Sequence, residues 1–202
     1  MDQTQWDERY GAREPVWSGR PNATLVAQVT GLTPGRALEA AAGEGADAIW
    51  LAQHGWQVTA LDFSAVGLAR AAAAAAERGV ADAISWVHTD LLDWTSEGPG
   101  FDLVTSHYLH LPSEPRRRVY AALAAAVAPG GRLLVVGHHP SDLEVGVQRP
   151  PDPDLFFTAE EVAADLGAGW VVEQALAAPR TGTHREGHEV TIHDAVLLAR
   201  RV

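Results

Sequence analysis

The 202-residue sequence contains no cysteine, which excludes disulfides, thiolate zinc sites and a cysteine nucleophile together. It is also short of positive charge: 15 Lys and Arg stand against 26 Asp and Glu, for a formal net charge of -11. Nucleic-acid binding draws on clustered cations that neutralise phosphates, so no nucleic-acid partner is expected. No stretch approaches the roughly 20 apolar residues of a membrane span, and the opening MDQTQWDERYGARE is polar where a signal peptide carries an apolar core. The expectation is a soluble, cytoplasmic protein with no membrane partner. Oligomeric state leaves no mark in the sequence.

What is present is enough for one α/β domain with a full core and too little for two. Short β-rich runs alternate with helical stretches, the pattern of βαβ units and a largely parallel, doubly wound sheet. Strands are predicted over Arg36–Ala41, Gln57–Leu61 (ending at Asp62), Ile84–His88 (ending at Asp90), Phe101–Thr105 (ending near His107) and Arg132–Gly137. The intervening helices are predicted over 47–54, 64–78 with Ser64 as cap, and about 114–126. The alanine run 71–76 reads as the surface of the second of these, alanine being the best helix former. After a polar, proline-rich loop over 138–153, Thr158 and Glu161 form a capping-box pattern ahead of a short helix. Two β-rich segments, Trp170–Ala177 and Glu189–Leu198, are joined by a polar turn over 179–187, too short for a crossover helix, so an antiparallel hairpin is expected. The predicted architecture is five parallel strands plus a C-terminal antiparallel hairpin, seven strands in all. Within a single domain over 1–202, residues 1–35 form a helical lid segment, 36–139 the cofactor-binding core, and 140–202 the acceptor-side loop, helix and hairpin.

Ligands of open α/β sheets bind outside the carboxyl ends of the strands. Those ends carry Glu39-Ala-Ala-Ala-Gly43-Glu44-Gly45, Asp62-Phe63-Ser64, Asp90-Leu91-Leu92 and Phe101-Asp102 through Tyr108. With WDERY, WSGRPN, FDLV, APGG and the final hairpin, this set resembles the class I S-adenosylmethionine-dependent methyltransferases, near small bacterial members of the tellurite-resistance and thiopurine type. The resemblance implies a Rossmann-like fold, S-adenosylmethionine as cofactor with S-adenosylhomocysteine as product, and a small-molecule acceptor. It implies that the Glu39 loop passes under the methionine part, with Ala41 at the turn and Gly43 and Gly45 allowing close approach. Asp62 takes the position that accepts both ribose hydroxyls, beside Ser64. Phe63 and Leu91 take the adenine sandwich, and Asp90 the exocyclic amine. The backbone at His107 takes the place that meets the methionine ammonium, and Trp6, Tyr10 and Trp17 belong to a lid, with Trp17 against the cofactor.

The sequence departs from the family's acidic-x-Gly-x-Gly-x-Gly pattern at Ala41, with Ala42 beside it. If position 41 needs a positive φ, alanine costs on the order of 1 kcal/mol there. A nicotinamide or flavin site would need glycine at 41, 43 and 46, but 41 and 46 are alanine, and Glu39, Glu44 and Asp47 would crowd a pyrophosphate. A non-catalytic S-adenosylmethionine-binding regulatory protein is the other alternative. Methyl transfer from a sulfonium needs alignment and, where the nucleophile carries a proton, a base. His107, His110, His138 and His139 gather at the predicted ends of the fourth and fifth strands. His139 and His107 are the candidate general bases, with strand-end caps or a metal set as the alternatives; no metal is assigned.

Overall fold

The computed structural model describes residues 3–12, 16–96, 98 and 100–202. The parts of the lid segment at 1–2 and 13–15 lie outside these residues. Among the described residues no helix is long and apolar enough to cross a membrane.

Seven strands form one sheet: β1 (Arg36–Ala40), β2 (Gln57–Asp62), β3 (Ile84–His88), β4 (Phe101–His107), β5 (Val127–His138), β6 (Trp170–Thr183) and β7 (Glu189–Arg201). Their spatial order is β3-β2-β1-β4-β5-β7-β6. The first five run parallel, and the last two form an antiparallel hairpin on β5. The helices are α1 (Gln3–Gly11), α2 (Ala23–Val29), α3 (Ala46–Gln53), α4 (Ala65–Glu77), α5 (Ser113–Ala125) and α6 (Ala159–Asp165). Local chemistry fixes several starts. The Ser64 hydroxyl accepts from the Gly67 amide at the head of α4, and Thr158 and Glu161 complete a reciprocal capping box on α6. The Pro129-Gly130-Gly131 turn sits inside β5 as a register shift, between the pairs Phe101↔Val127 and Leu103↔Arg132.

Each sheet face carries its own core. Leu38, Val104, Leu133, Val135 and Leu197 meet Val119 and Leu123 of α5 and Val162 of α6 on one side. Ala37, Val58, Leu103, Leu134 and Val136 meet Leu25, Ile49, Leu51 and Ala75 of α2, α3 and α4 on the other. Side chains as fully hidden as Leu25 and Leu123 contribute about 1.5–3 kcal/mol each by leaving water.

The structure corrects the sequence reading at three places. Helix α2, inside the segment 1–35 expected to form a lid, is a core element, with Leu25 and Val29 buried. The alanine run is not all surface: Ala71 and Ala75, one turn apart, are fully buried, and their small side chains let α4 pack closely. The segment 179–183, read as turn, is strand. Its residues pair with β7 through Arg180↔Ile192 and Gly182↔Val190, and Pro179 is accommodated because β6 is an edge strand that does not need its N–H.

Candidate functional site

The strand order reverses between β1 and β4, so the chain leaving β1 stands at the switch point where open α/β sheets take their ligands. That loop turns through three left-handed residues, Ala41 (φ 62°), Gly43 (φ 55°) and Gly45 (φ 75°). Position 41 therefore does require the conformation that costs alanine on the order of 1 kcal/mol. The Gly43 N–H donates to Asp62 Oδ2 and the Ser64 N–H to Asp62 Oδ1, both at 2.8 Å. These two amides, joined by the backbone N–H of Phe63, hold the carboxylate across the end of β2. Burial raises the Asp62 pKa despite those amides.

Gly45 also serves the packing of α3. A Cβ there would lie 2.6 Å from the Trp86 ring and 2.7 Å from Ala71, so this glycine lets the head of α3 pack against its neighbours. Glu39 also points inward. It is buried beside Asp47, and desolvation first, with the Asp47 and Asp62 charges after it, pushes its pKa well above the usual carboxylate range. Asp47 is held by Asn22, whose backbone N–H and side-chain amide donate at 2.7 and 2.6 Å.

At the ends of β2 and β3, Phe63 is half-buried and its carbonyl accepts from His88 Nε2 at 2.9 Å. Asp90 is exposed, with Oδ1 accepting from the Leu92 N–H at 2.9 Å and its other oxygen outside that turn. Leu91 is buried in the same core cluster as Leu38 and Leu61. Asp62, Phe63, Asp90 and Leu91 are thus carried on adjacent strand ends, through the pair Asp62↔His88.

Helix α1 lies over this groove. Tyr10 is 4 % exposed, and a Cβ on Gly43 would sit 2.8 Å from its hydroxyl. Burial pushes the Tyr10 pKa up to about 12, so the hydroxyl stays protonated while accepting from Trp17 Nε1 at 3.3 Å. Trp6 stacks on Tyr10, and Arg9 lies 5.0 Å from the Trp6 ring and 5.3 Å from that of Trp17. Trp17 itself is 48 % exposed, on the outer side of this cluster. Glu44 latches the segment: its carboxylate accepts from the Val16 and Trp17 amides and pairs with Arg70 at 2.8 Å. Further ties join Asp7 to the Ser64 hydroxyl and Arg70 to the Ala12 carbonyl.

The four histidines separate. His107 is buried on the α3 side, its Nδ1 3.3 Å from Asp47 Oδ2 but out of line for a hydrogen bond. Burial lowers its pKa, against the pull of Asp47 and Asp194. His139 caps the 3-10 turn over 140–144, where its Nδ1 accepts from the Ser141 N–H at 3.2 Å, and Ser141 Oγ stands 3.3 Å from His193. His138 and His110 come together, stacked at 5.3 Å, with Tyr108 at 4.9 Å and Phe156 at 6.1 Å from His138. Desolvation, reinforced by the Arg149 charge, pushes His138 down to about 3 and lowers His110 as well, so both rings are neutral at neutral pH. His138 Nδ1 is buried without a hydrogen-bond partner.

Around this pair stand residues that the sequence reading passed over. Asp194, 2 % exposed, accepts from Tyr108 at 2.8 Å and from Arg180 at 2.7 Å. Asp142, 1 % exposed, holds Arg149 at 2.7 Å and accepts from the His193 N–H at 2.8 Å. Tyr108 has a left-handed backbone (φ 52°), a strain of the kind that marks functional sites. The available signal was a carboxylate at 194 directly ahead of the apolar run Ala195-Val-Leu-Leu-Ala199. A cleft of about 370 Å³ between Thr95, Ala122 and Arg201 lies at the opposite, amino ends of β4 and β5. At the carboxyl ends, Tyr10 of α1 lies over Gly43.

Comparison with known proteins points the same way as this geometry. A methyltransferase-domain family model matches residues 37–131. A 2-heptyl-1-hydroxyquinolin-4(1H)-one methyltransferase of Mycobacteroides abscessus is 29 % identical over 169 residues, covering 77 % of this chain and 74 % of that protein. A tRNA 5-carboxymethoxyuridine methyltransferase of Escherichia coli is 38 % identical over 104 residues, 50 % of this chain but 39 % of that enzyme's length. The N-methyltransferase NodS of Bradyrhizobium japonicum, solved with S-adenosylhomocysteine, superposes with a TM-score of 0.72 at 20 % identity, over 99 % of both chains.

Proposed function

The chain belongs to the class I S-adenosylmethionine-dependent methyltransferases, and from that premise we propose that it methylates a small, planar acceptor presented to the His138–His110 pair. It is an enzyme, and its cofactor is S-adenosylmethionine.

The groups at these strand ends suit that cofactor. Asp62 is a buried carboxylate with both oxygens oriented by amides at the end of β2, which suits ribose hydroxyls. Glu44, Asp47 and Asp62 surround the loop with negative charge, which suits a sulfonium and an ammonium better than a pyrophosphate. In this reading the turn at Ala41 to Gly43 runs beneath the methionine part, and Phe63, Asp90 and Leu91 flank the adenine. Tyr10 and Trp17 cover the groove from outside. S-adenosylmethionine supplies the methyl as an electrophilic carbon on sulfur and departs as S-adenosylhomocysteine.

The observation that carries the acceptor site is the buried, unpartnered Nδ1 of His138. Strands lie about 4.8 Å apart, so the ends of β1 and β5, with β4 between them, stand about 10 Å from one another. That span suits a nucleophile held on one side of a methyl and sulfur on the other. His138, neutral through burial, accepts a hydrogen bond from the acceptor's O–H or N–H and aligns it, and the proton is released to water on the side of the exposed His110. Tyr108, His110 and His138 offer a ring surface, while Asp194 and Asp142 neutralise Arg180 and Arg149 beside it. An uncharged aromatic acceptor is favoured on that basis, in keeping with the hydroxyquinolinone enzyme among the relatives. The acidic balance of the chain disfavours a polyanionic acceptor. Against His139 and His107 as bases stand their surroundings: the first is spent on a cap, the second enclosed by Asp47 and Asp194.

The test is transfer of labelled methyl to a panel of hydroxylated heteroaromatics, phenols, amines and thiols. For the true acceptor, His138→Gln and His110→Gln should each lower turnover about 10²–10⁴-fold without weakening cofactor binding. Because both pKa values are lowered, kcat/KM should be level above the ordinary imidazole value of 6.5 and fall only below it. Normal turnover in both variants would remove the histidines from the mechanism. Cofactor binding without transfer to any acceptor would instead favour the regulatory reading.

A further inference from the structure

The tip of the β6–β7 hairpin is built around a pair of histidines. The His184 N–H donates to the His188 carbonyl, and the Gly187 N–H to the His184 carbonyl, both at 2.8 Å. Gly187 takes the left-handed conformation (φ 91°) that closes so tight a turn. The backbone thus sets two imidazoles side by side across the strand pair, with ring centroids 4.3 Å apart and planes 20° from parallel. Glu186, at the crest between them, brings a carboxylate oxygen 3.9 Å from His184 Nδ1. Among the described residues, His184, Glu186 and His188 bring one ligand atom each within 4.8 Å of the other two.

We propose that His184, Glu186 and His188 form a binding site for a divalent transition-metal ion such as Zn²⁺. Two imidazoles and one carboxylate, with room for water at a further position, are a borderline donor set that suits zinc, nickel or copper and not calcium or magnesium. Metal–ligand bonds of about 2.0–2.1 Å in a tetrahedron put ligand atoms about 3.4 Å apart. The closure needed is therefore of the order of 1 Å, and His188 and Glu186, both exposed, can supply it by side-chain rotation.

His184 is the fixed member of the set. Its ring lies against Gly146, where a Cβ would collide with it, and its backbone bridges to Val147. The Arg185 N–H adds a hydrogen bond to the Gly146 carbonyl at 3.0 Å. The hydrogen bond that His184 Nδ1 accepts from the Glu186 N–H, at 3.1 Å, is exposed, so if Nδ1 is the ligating atom that amide turns to water. The site is separate from the proposed acceptor histidines. His138 pairs with Asp194, and the hairpin continues beyond it to Glu189, about 17 Å of strand. An ion there would stiffen the hairpin tip on the loop that carries Asp142 and Arg149.

The probe is the metal alone, on tag-free protein stripped with a chelator and dialysed. Calorimetry with Zn²⁺ and the visible bands of added Co²⁺ should report one ion per chain. His188→Gln should weaken binding by at least about 10-fold, and His184→Gln/His188→Gln should abolish it, with thermal unfolding unchanged. Arg185→Gln, in the same turn but with no ligand atom, should bind as the wild type. Absence of saturable binding would overturn the proposal. So would binding undiminished in the double variant, which would place the ion at other histidines such as His139 and His193.

Discussion

Replacing His138 by phenylalanine should flatten the acid side of the stability profile. The ring sits among Tyr108, His110 and Phe156 with its Nδ1 unpartnered, and desolvation pushes its pKa down from 6.5 to about 3. Between those values the unfolded chain binds a proton that the folded chain refuses. Stability is therefore full above pH 6.5 and is lost progressively as the pH falls through the window. Taking one pKa unit as 1.36 kcal/mol, His138 costs the fold about 2 kcal/mol at pH 5 relative to pH 7. That figure needs only a folded pKa below about 4, because at pH 5 the loss is set by protonation of the unfolded chain. Phenylalanine keeps the ring contacts and cannot take the proton. Urea unfolding of both proteins at pH 7 and pH 5 provides the assay, and any packing change that is independent of pH cancels in the comparison. The variant should lose about 2 kcal/mol less than the wild type on going to pH 5. Equal losses, within about 0.5 kcal/mol, would show that His138 titrates normally and would remove the neutral ring from the acceptor site.

Asp62→Asn should weaken S-adenosylmethionine binding by about 1.5–3 kcal/mol in calorimetry, because it removes a charged acceptor while keeping one oxygen for the amides of Gly43 or Ser64. Unchanged affinity would refute the ribose assignment. Ala41→Gly relieves a left-handed alanine (φ 62°) but gives the unfolded chain more freedom, so cofactor affinity should tighten or stay level while stability shifts by no more than about 1 kcal/mol. A marked loss would mean that the alanine methyl is a needed contact. Hydrogen exchange in residues 3–12 should slow when cofactor is added, with a change in tryptophan fluorescence, and Glu44→Gln should speed exchange there by removing the carboxylate that Val16, Trp17 and Arg70 share. Identical exchange with and without cofactor would make α1 a static cover.

Much of this protein is written in local chemistry. Alternation of strand and helix patterns determined the parallel core and the closing hairpin, because period and turn length leave few topologies open. The Ser64 cap and the Thr158–Glu161 box were readable because a cap needs only neighbours in sequence. The position of Asp62 at the end of β2 was readable in the same way, from the β-rich run that precedes it. Tertiary structure decided the rest. Gly45 and Ala71 are small because two helices and Trp86 converge on them, a contact that spans 41 residues of chain between Gly45 and Trp86. His138 and His139 are adjacent in sequence but separate in space, one in a ring cluster and one on a turn, because β5 ends at His138 and His139 caps the 3-10 turn that follows. Asp194 reaches Tyr108 and Arg180 only once β7 lies antiparallel between β5 and β6. Local propensity can say that a residue is polar, strand or cap; which polar residues face each other is settled by sheet order and register, and those exist only in the folded chain.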